Sequence, residues 1–240
     1  MLIKEITDLL ESLAPPSLQE SYDNVGLITG QHSWQCKGII CTLDATEEVV
    51  LEAIKKKCNL IVAHHPIIFS GLKKINGKNY VEKSIITAIK NDIAIFAIHT
   101  NLDNIIGGVN TKMANALGLI NCSVVAPKEN QLIKLYTFVP ANYADKIRNA
   151  IFAAGAGNIG NYSECSFNSP GEGTFKAGEN TNPFLGEKGK RHLENEIKIE
   201  TIFPAWLQQN ILTALLAAHP YEEVAYDLIK VSNKDRKSVV

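Results

Sequence analysis

The sequence predicts an α/β fold with a parallel sheet in the first half, followed by a ferredoxin-like α+β domain in the second half. In the first half, three short apolar runs alternate with amphipathic helical segments, and each run ends in polar residues. Because these runs are continuously apolar rather than alternating, we expect both faces of the sheet to be covered, as in parallel sheets. In the second half the predicted elements follow the order β-α-β-β-α-β, which is typical of ferredoxin-like units.

The first half opens with a helix and then alternates strands with helices. Apolar residues recur at helical spacing over residues 2–13, and Pro15 and Pro16 end this helix. Another helix begins near Thr46, which is a favourable N-cap followed by two acidic residues. We predict strands at 38–43, 60–63 and 93–98, and helices at 46–57, 80–90 and between Gly108 and Gly118.

The second half has a different order of elements. We predict strands at 132–139, 197–203 and 224–231, and helices at 142–154 and 206–218. The stretch 161–190 is rich in glycine and proline, which favours a long loop with at most short strands. These patterns divide the chain into a domain at 1–128, a second domain at 129–232 and a tail at 233–240.

Composition and charge restrict the function classes. The formal net charge of the 240 residues is −1, which disfavours nucleic-acid binding because such proteins usually carry a basic excess. No apolar run is long enough to cross a bilayer, and acidic residues interrupt the segment where a signal peptide would be positive and apolar. The five cysteines are scattered and lack CxxC spacing, so we expect a cytoplasmic protein with reduced thiols.

The sharpest chemical signal is the pair His64 and His65, directly after the second predicted strand. Adjacent side chains on a strand point to opposite faces, but past the strand end this rule lapses, and Pro66 holds His65 out of helical geometry. Two adjacent imidazoles can then serve two neighbouring metal ions, or one ion and its outer shell. For the pair alone, two hydrogen-bonded histidines in a loop are the favoured alternative.

Asp103 shifts the interpretation towards a metal site. It follows the third predicted strand, and in parallel sheets ligand sites lie outside the carboxyl ends of the strands. A carboxylate among imidazoles is a common ligand set for zinc, manganese or iron, and it can bridge two ions at a hydrolytic site. Taken alone, such an aspartate is more typical of a turn or a helix cap. We predict His64, His65 and Asp103 as metal ligands.

Other polar residues are open to two interpretations. His99 is either an outer partner that orients a metal ligand or a buried histidine with its own hydrogen bonds. Asp44 either belongs to the outer part of the site, where it binds water or substrate, or caps the following helix. Asp23 either lines the pocket or caps a turn. His219 and Glu223 have ligand spacing, but a proline follows the histidine, so a structural turn is favoured.

Three motifs occur in the first half, in the order Ser21–Leu27 (SYDNVGL), Ile61–Pro66 (IVAHHP) and Thr100–Asp103 (TNLD). In order and spacing they resemble the Nif-three-like dinuclear metal-centre family, whose members are also called GTP cyclohydrolase 1 type 2 homologues. This resemblance covers residues 1 to about 125. The second half resembles the PII-like insert of the longer members, through the segments Gly173–Lys176, Asn182–Gly186 and His219–Asp227.

The resemblance implies an assembly, a cofactor and an activity. The first half is expected to be part of a domain that binds two divalent ions, with His64, His65 and Asp103 matching the family's ligands. Family members form hexameric toroids with the metal sites facing an internal cavity, so a homo-hexamer is expected. The implied activity is metal-dependent hydrolysis of a small GTP-derived substrate by metal-activated water, although no residue pattern predicts a guanine pocket. The alternative is a non-enzymatic metal-handling or regulatory scaffold whose PII-like domain senses a ligand.

One part of the family pattern is missing from the sequence. After the insert, the chain of family members returns to the first domain and supplies a further histidine and glutamate to the metals. Here the sequence ends at Val240, soon after the last predicted strand. His219 and Glu223 match the insert, so that role is not assigned to them. We therefore expect a truncated or frameshifted family member, or a fragment, whose three ligands can still hold one ion.

Overall fold

The computed structural model describes residues 1–125 and 131–233. These residues form two compact units, 1–125 and 131–233, called here the first unit and the second unit. The boundary predicted between residues 128 and 129 and positions 234–240 of the predicted tail lie outside the described residues. Among the residues described, no helix combines the length and the apolar character needed to traverse a bilayer.

The first unit is a mixed four-stranded sheet with helices on both faces. Its strands are β1 (Gly26–Thr29), β2 (Ile39–Thr42), β3 (Leu60–Ala63) and β4 (Ala94–Ala97). Its helices are α1 (Ile3–Leu13), α2 (Glu47–Lys55), α3 (Tyr80–Lys90), α4 (Thr100–Asp103) and α5 (Val109–Ala116). The sheet order is β1-β4-β3-β2, with β2, β3 and β4 parallel and β1 antiparallel to β4. The predicted α/β class is confirmed.

Side-chain caps define the starts of the two helices that cover one face of this sheet. The Thr46 hydroxyl accepts a hydrogen bond from the Val49 N–H, so α2 begins where the sequence predicts. At the start of α3, the Asn79 side chain accepts the Glu82 N–H at 2.9 Å, and the Glu82 carboxylate accepts the N–H of Lys78 at 2.9 Å. These bonds satisfy amide groups that a helix start leaves without partners.

Two apolar clusters hold the sheet between its helices. On one face, α1 packs against β3 and β4 through Ile3, Ala14, Leu60, Ala94 and Phe96. On the other face, α2 and α3 pack through Val50, Ala53, Ile61, Ile85, Ala88 and Ile95. Neighbouring strand residues therefore join opposite clusters, as the two-residue period of a strand requires.

Strand β2 departs from the predicted burial. Ile40 packs in the cluster under α2 and α3, but the neighbouring Ile39 is 44% exposed and Cys41 is exposed. The expectation that all three parallel strands are covered on both faces is right for β3 and β4 and wrong for β2. One face of β2 is exposed because this strand lies at the edge of the sheet, and α1 packs against β3 and β4 rather than against it.

The second unit is an antiparallel sheet with two helices on one face. Its strands are β5 (Leu132–Pro140), β6 (Ser166–Lys176), β7 (Arg191–Pro204) and β8 (Tyr226–Val231), and its helices are α6 (Ala144–Ala153) and α7 (Gln208–Ala218). The sheet order is β6-β7-β5-β8, and every pairing is antiparallel. The core lies between sheet and helices and includes Leu135, Ile147, Ile151, Ile199, Phe203, Ile211 and Leu215. The predicted β-α-β-β-α-β order and α+β class are confirmed.

The stretch predicted as loop contains a long strand instead. Strand β6 has 11 residues and β7 has 14, and they pair in register from Ser166 opposite Thr201 to Lys176 opposite Arg191. The prediction was wrong because Pro170 and two glycines weaken the strand pattern of β6. An edge strand tolerates such residues, since one side of its backbone needs no partner in the sheet.

Gly30, directly after β1, offers a test of how tightly β1 packs on β4. Its φ is +96°, and a Cβ there would lie 2.6 Å from the Cβ of Ala94. We expect Gly30→Ala to lower the free energy of unfolding by about 2 kcal/mol or more, through backbone strain and overpacking. Urea unfolding followed by tryptophan fluorescence, with Trp206→Phe in every protein so that Trp34 alone reports, measures this. The matched control is Gly71→Ala, where a Cβ meets nothing within 4 Å; equal stability of the two variants would contradict the packing described.

Candidate metal centre

The polar residues that follow the parallel strands meet at one edge of the first unit. Asp44 follows β2, His64 and His65 follow β3, and His99 follows β4. Because these strands are parallel and in register, their carboxyl ends lie side by side. Strand β1 runs the other way, with Gly26 opposite Ala97, so Asp23 before its start reaches the same edge.

Three imidazoles form a compact cluster at this edge. One ring nitrogen from each of His64, His65 and His99 lies within 4.8 Å of the others. The ring centroids are 5.1 Å apart for His64–His65, 5.1 Å for His64–His99 and 5.4 Å for His65–His99. His99, predicted as an outer partner or a buried histidine, therefore contributes directly to the cluster. The sequence signal for this was its position after the third parallel strand, which matches that of His64 after the second.

His64 is oriented by the backbone. Its Nδ1 lies 3.0 Å from the carbonyl oxygen of Ile98, which only accepts, so Nδ1 carries the proton and donates. The lone pair of this ring is then on Nε2. The Asp103 Oδ1 lies 3.8 Å from that Nε2. The structure therefore brings the predicted ligands His64 and Asp103 within reach of one ion, because two metal bonds of about 2 Å each span this distance. Among the described residues, the group of three whose ligand atoms all lie within 4.8 Å of one another contains His99 and not Asp103 beside His64 and His65.

His65 is oriented by Asp44. The His65 Nδ1 donates to the Asp44 Oδ1 at 2.8 Å, so the lone pair of the ring is again on Nε2. Both side chains are partly exposed, at 45% for His65 and 58% for Asp44. Asp44 thus contacts a predicted ligand from the side away from the cluster, and its contact with water or substrate stays a prediction. Carboxylates in this position fix the ring and raise the basicity of the distal nitrogen.

His99 is oriented by Asp23, whose side chain is fully buried. The His99 Nδ1 donates to the Asp23 Oδ1 at 2.9 Å. The N–H and hydroxyl of Thr100 donate to the other carboxylate oxygen, and the Asn24 N–H donates to Oδ1 at 2.7 Å. Burial raises the pKa of Asp23, but the hydrogen bonds from Thr100, His99 and Asn24 outweigh it, so its pKa lies below the usual value. Asp23 is therefore ionised and acts only as an acceptor.

Buried asparagines hold the segment that carries His99 and Asp103. The Asn101 side chain accepts the His99 N–H at 2.9 Å and donates to the carbonyl of Ala14 at 2.6 Å. Asn104 donates to the carbonyl of Leu18 at 2.8 Å. The segment is thus tied to the chain that follows α1. Sequence reasoning identified Thr100–Asp103 as a motif but did not assign this anchoring to its asparagine.

His219, whose spacing to Glu223 resembles a ligand pair, has a structural environment in the second unit. Its Nε2 donates to the carbonyl of Phe138 at 3.1 Å, and its Nδ1 accepts the Tyr221 N–H at 3.1 Å. Burial lowers the pKa of this imidazole, so the neutral form is favoured. Both ring nitrogens are occupied within the protein, which agrees with the structural interpretation of this turn.

The donor set at the edge suits a divalent transition metal. Three imidazoles have Nδ1 engaged and Nε2 available, and a carboxylate lies beside one of them. Nitrogen and oxygen donors of this kind fit zinc, manganese or iron, and the hydrogen bonds behind the rings are those that metal-binding histidines usually make. The first unit is therefore an α/β fold with a histidine cluster that can hold a metal ion at the carboxyl ends of its strands.

The family follows from comparison with known proteins. Residues 1–203 match the family described as Duf34/NIF3 (NGG1p interacting factor 3), and the chain belongs to this family. It is similar to the GTP cyclohydrolase 1 type 2 homologs of Halalkalibacterium halodurans, at 45% identity over 230 residues, and of Bacillus subtilis, at 42% over 229 residues. These alignments cover 95% of this chain but only 62% and 61% of the two relatives.

Solved structures give the same assignment. The crystal structure of a Bacillus cereus protein related to NIF3 matches with a TM-score of 0.85 and 44% identity, covering 100% of this chain and 64% of that one. A Staphylococcus aureus protein matches with a TM-score of 0.65 and 30% identity, covering 98% and 61%. The chain therefore spans less than two thirds of the length of these relatives.

Asp23→Asn tests the hydrogen bond behind His99. An asparagine keeps the shape of the side chain but removes its charge, so His99 is held less firmly as a donor on Nδ1. We expect the affinity of metal-free protein for Zn²⁺ to fall about 10- to 100-fold, measured by titration calorimetry. Asp92→Asn is the matched control, because Asp92 is exposed and its φ of 53° suits asparagine. Unchanged affinity in the Asp23 variant would contradict the role assigned to that carboxylate.

The same aspartate makes stability depend on pH. Its folded pKa lies below 3.8, so its stabilising contribution is complete above about pH 3.8 and is lost as pH falls through the lowered folded value. The unfolding free energies of the native chain and Asp23→Asn should therefore differ most near neutral pH and converge in acid. Urea titrations of both proteins at several pH values, in metal-free buffer, measure this difference. If the difference in unfolding free energy between the two proteins increased as the pH is lowered, Asp23 would not be held ionised.

Proposed function

We propose that this chain is the metal-binding part of a metal-dependent hydrolase that acts on a small nucleotide-like substrate. His64, His65, His99 and Asp103 would hold divalent metal ions at the edge of the sheet. The observation that carries the proposal is the cluster of three imidazoles, each held through Nδ1 so that Nε2 is available. The family and the name of its relatives, GTP cyclohydrolase 1 type 2 homolog, support a GTP-derived substrate.

The groups that accept hydrogen bonds from the three Nδ1 atoms hold the imidazole rings in position without a bound ion. Asp44 and Asp23 accept hydrogen bonds from the Nδ1–H groups of His65 and His99, and the Ile98 carbonyl accepts one from His64. This fixes one tautomer in each ring, so little rearrangement is needed on binding. When bound, a divalent ion supplies Lewis acidity and lowers the pKa of a coordinated water.

Aromatic side chains next to the cluster support a substrate with a planar ring. The Phe69 ring centroid lies 6.4 Å from that of His99, and the Tyr22 centroid lies 6.2 Å from that of Phe69. Both side chains are largely exposed, at 52% for Phe69 and 63% for Tyr22. The Asn24 amide donates to the carbonyl of Ile68 at 2.7 Å and holds the two segments together. Exposed rings of this kind can stack on a heterocycle.

Assembly and stoichiometry are part of the proposal. By family resemblance we propose two divalent ions per subunit and a hexameric toroid. The present chain supplies three histidines and one carboxylate, and a hydrolytic site for two ions would draw on further ligands. Because the relatives are longer, the activity of the complete protein is proposed rather than assigned to residues 1–240 alone.

His65→Ala tests the hydrolase directly. We expect protein loaded with Zn²⁺ or Mn²⁺ to consume GTP or p-nitrophenyl phosphate, and the variant to lose at least about 100-fold in rate because a ligand is removed. Chromatography of the nucleotide measures turnover, and elemental analysis measures bound metal. His32→Ala is the control, because His32 contacts Thr7 rather than the cluster. Metal binding without turnover of either substrate would overturn the hydrolase and favour a metal-handling scaffold.

A further inference from the structure

The second unit contains a cavity of about 640 Å³ that the proposed metal chemistry does not use. Residues of β6 and β7 line it, together with residues of the segment 181–185 and of the turn 221–223. The three segments that stand out in the second half of the sequence, Gly173–Lys176, Asn182–Gly186 and His219–Asp227, all contribute to it. Segments distant in sequence thus converge on one volume, which is large enough for a small organic molecule.

Aromatic rings form much of the wall. Phe138, Phe175, Phe184 and Tyr221 line the cavity. The Tyr221 ring centroid lies 6.0 Å from that of Phe175 and 6.4 Å from that of Phe184. The faces of such rings are negative, so they attract a cation as well as an apolar group.

The charged residues of the cavity are mostly acidic. Four glutamates and one lysine line it, which gives a formal charge of −3. The lysine, Lys198, is engaged elsewhere, because its Nζ lies 2.8 Å from the Glu200 carboxylate and 4.2 Å from the centroid of the Tyr136 ring. Glu200 also pairs with Lys134 at 2.9 Å, so it offsets the Lys198 charge only in part, and the negative charge of the cavity comes from the excess of four glutamates over one lysine.

Glu196 is the carboxylate positioned to bind a ligand. The Tyr221 hydroxyl donates to its Oε1 at 2.8 Å. Its Oε2 extends over β6 at Gly173, where a Cβ would lie 2.1 Å from that oxygen. Glycine at this position thus leaves the space that the carboxylate occupies. A carboxylate offers about four lone-pair positions, and the bond from Tyr221 uses one, so Glu196 retains acceptor capacity towards the cavity.

We propose that this cavity binds a small organic cation, a protonated amine or guanidinium on an apolar body. The cationic group would lie at Glu196, and the apolar body would pack against Phe175, Phe184 and Tyr221. A bare metal ion fits less well, because the group of three ligating side chains found among the described residues lies in the first unit. The inference does not depend on the proposed hydrolase, since none of the residues that line the cavity belongs to the histidine cluster.

The test compares three probes of similar shape and different charge on the full chain. These are phenethylamine, which is cationic, 2-phenylethanol, which is neutral, and 3-phenylpropionate, which is anionic. We expect calorimetry or saturation-transfer NMR to show phenethylamine binding about tenfold or more tightly than either of the others. Equal binding of the alcohol, tighter binding of the anion, or no binding by any probe would overturn the proposal.

Two variants and two controls locate the site. Glu196→Gln should weaken phenethylamine binding at least about fivefold, because it removes the charge that faces the cation. Gly173→Ala should do the same without a change of charge, because the new methyl group displaces the Glu196 carboxylate. Glu187→Gln, which removes an exposed charge paired with Lys190, and His65→Ala, in the metal cluster, should leave binding unchanged.

The alternative occupant of the cavity is a second copy of the chain. If Glu196→Gln changes the molar mass measured by light scattering while phenethylamine binding stays as it was, the cavity is an interface between copies and the proposal is wrong. Persistence of binding in both Glu196→Gln and Gly173→Ala would overturn it as well.

Discussion

The parallel, in-register pairing of β2, β3 and β4 is the constraint on which the candidate site depends. Leu60 stands opposite both Ile39 and Ala94, so the three strands end level with one another. A strand residue rises about 3.3 Å, and a slip of one residue would both move a histidine by that distance and exchange the side chains between the two apolar clusters. The apolar clusters on the two faces of β3 therefore determine the register, and through it the positions of His64, His65 and His99.

The second determinant is a buried carboxylate. Removing a charge from water costs several kcal/mol, and a buried aspartate persists only when hydrogen bonds offset that cost. Asp23 accepts from His99, Asn24 and twice from Thr100, and hydrogen bonds to a charged group contribute about 1.5–3 kcal/mol each. The same bonds fix the His99 ring and join the segment before β1 to the segment after β4. Stability and site geometry are thus produced by the same contacts.

In the second unit the helices cover only one face of the sheet. The other face carries polar and aromatic side chains that line a cavity. Strand β6 lies at the edge of this sheet, where proline and glycine are tolerated. Gly173, which weakens the strand pattern in the sequence, leaves room for the Glu196 carboxylate of the neighbouring strand. The glycine that led to the prediction of a loop therefore helps to shape the cavity.

The sequence alone was sufficient for the class of fold, the order of most elements and the edge at which the site lies. Continuous apolar runs indicate strands buried on both faces, and residues that follow parallel strands lie at one edge, so the sequence predicts that His64, His65 and Asp103 meet there. In the structure Asp103 lies beside His64, and His99 completes the compact group of imidazoles instead. Local pattern also predicted α2, α3 and β3 closely, because caps and apolar periodicity act within a few residues.

Tertiary structure decided whatever depends on partners distant in the chain. The antiparallel placement of β1 brings Asp23 to His99, 76 residues away, and no local pattern predicts that pairing. The edge position of β2, which exposes Ile39, and the pairing that makes β6 a strand are likewise results of packing. The physical reason is that hydrogen-bond partners and burial belong to pairs of segments, whereas propensity and periodicity belong to one segment at a time.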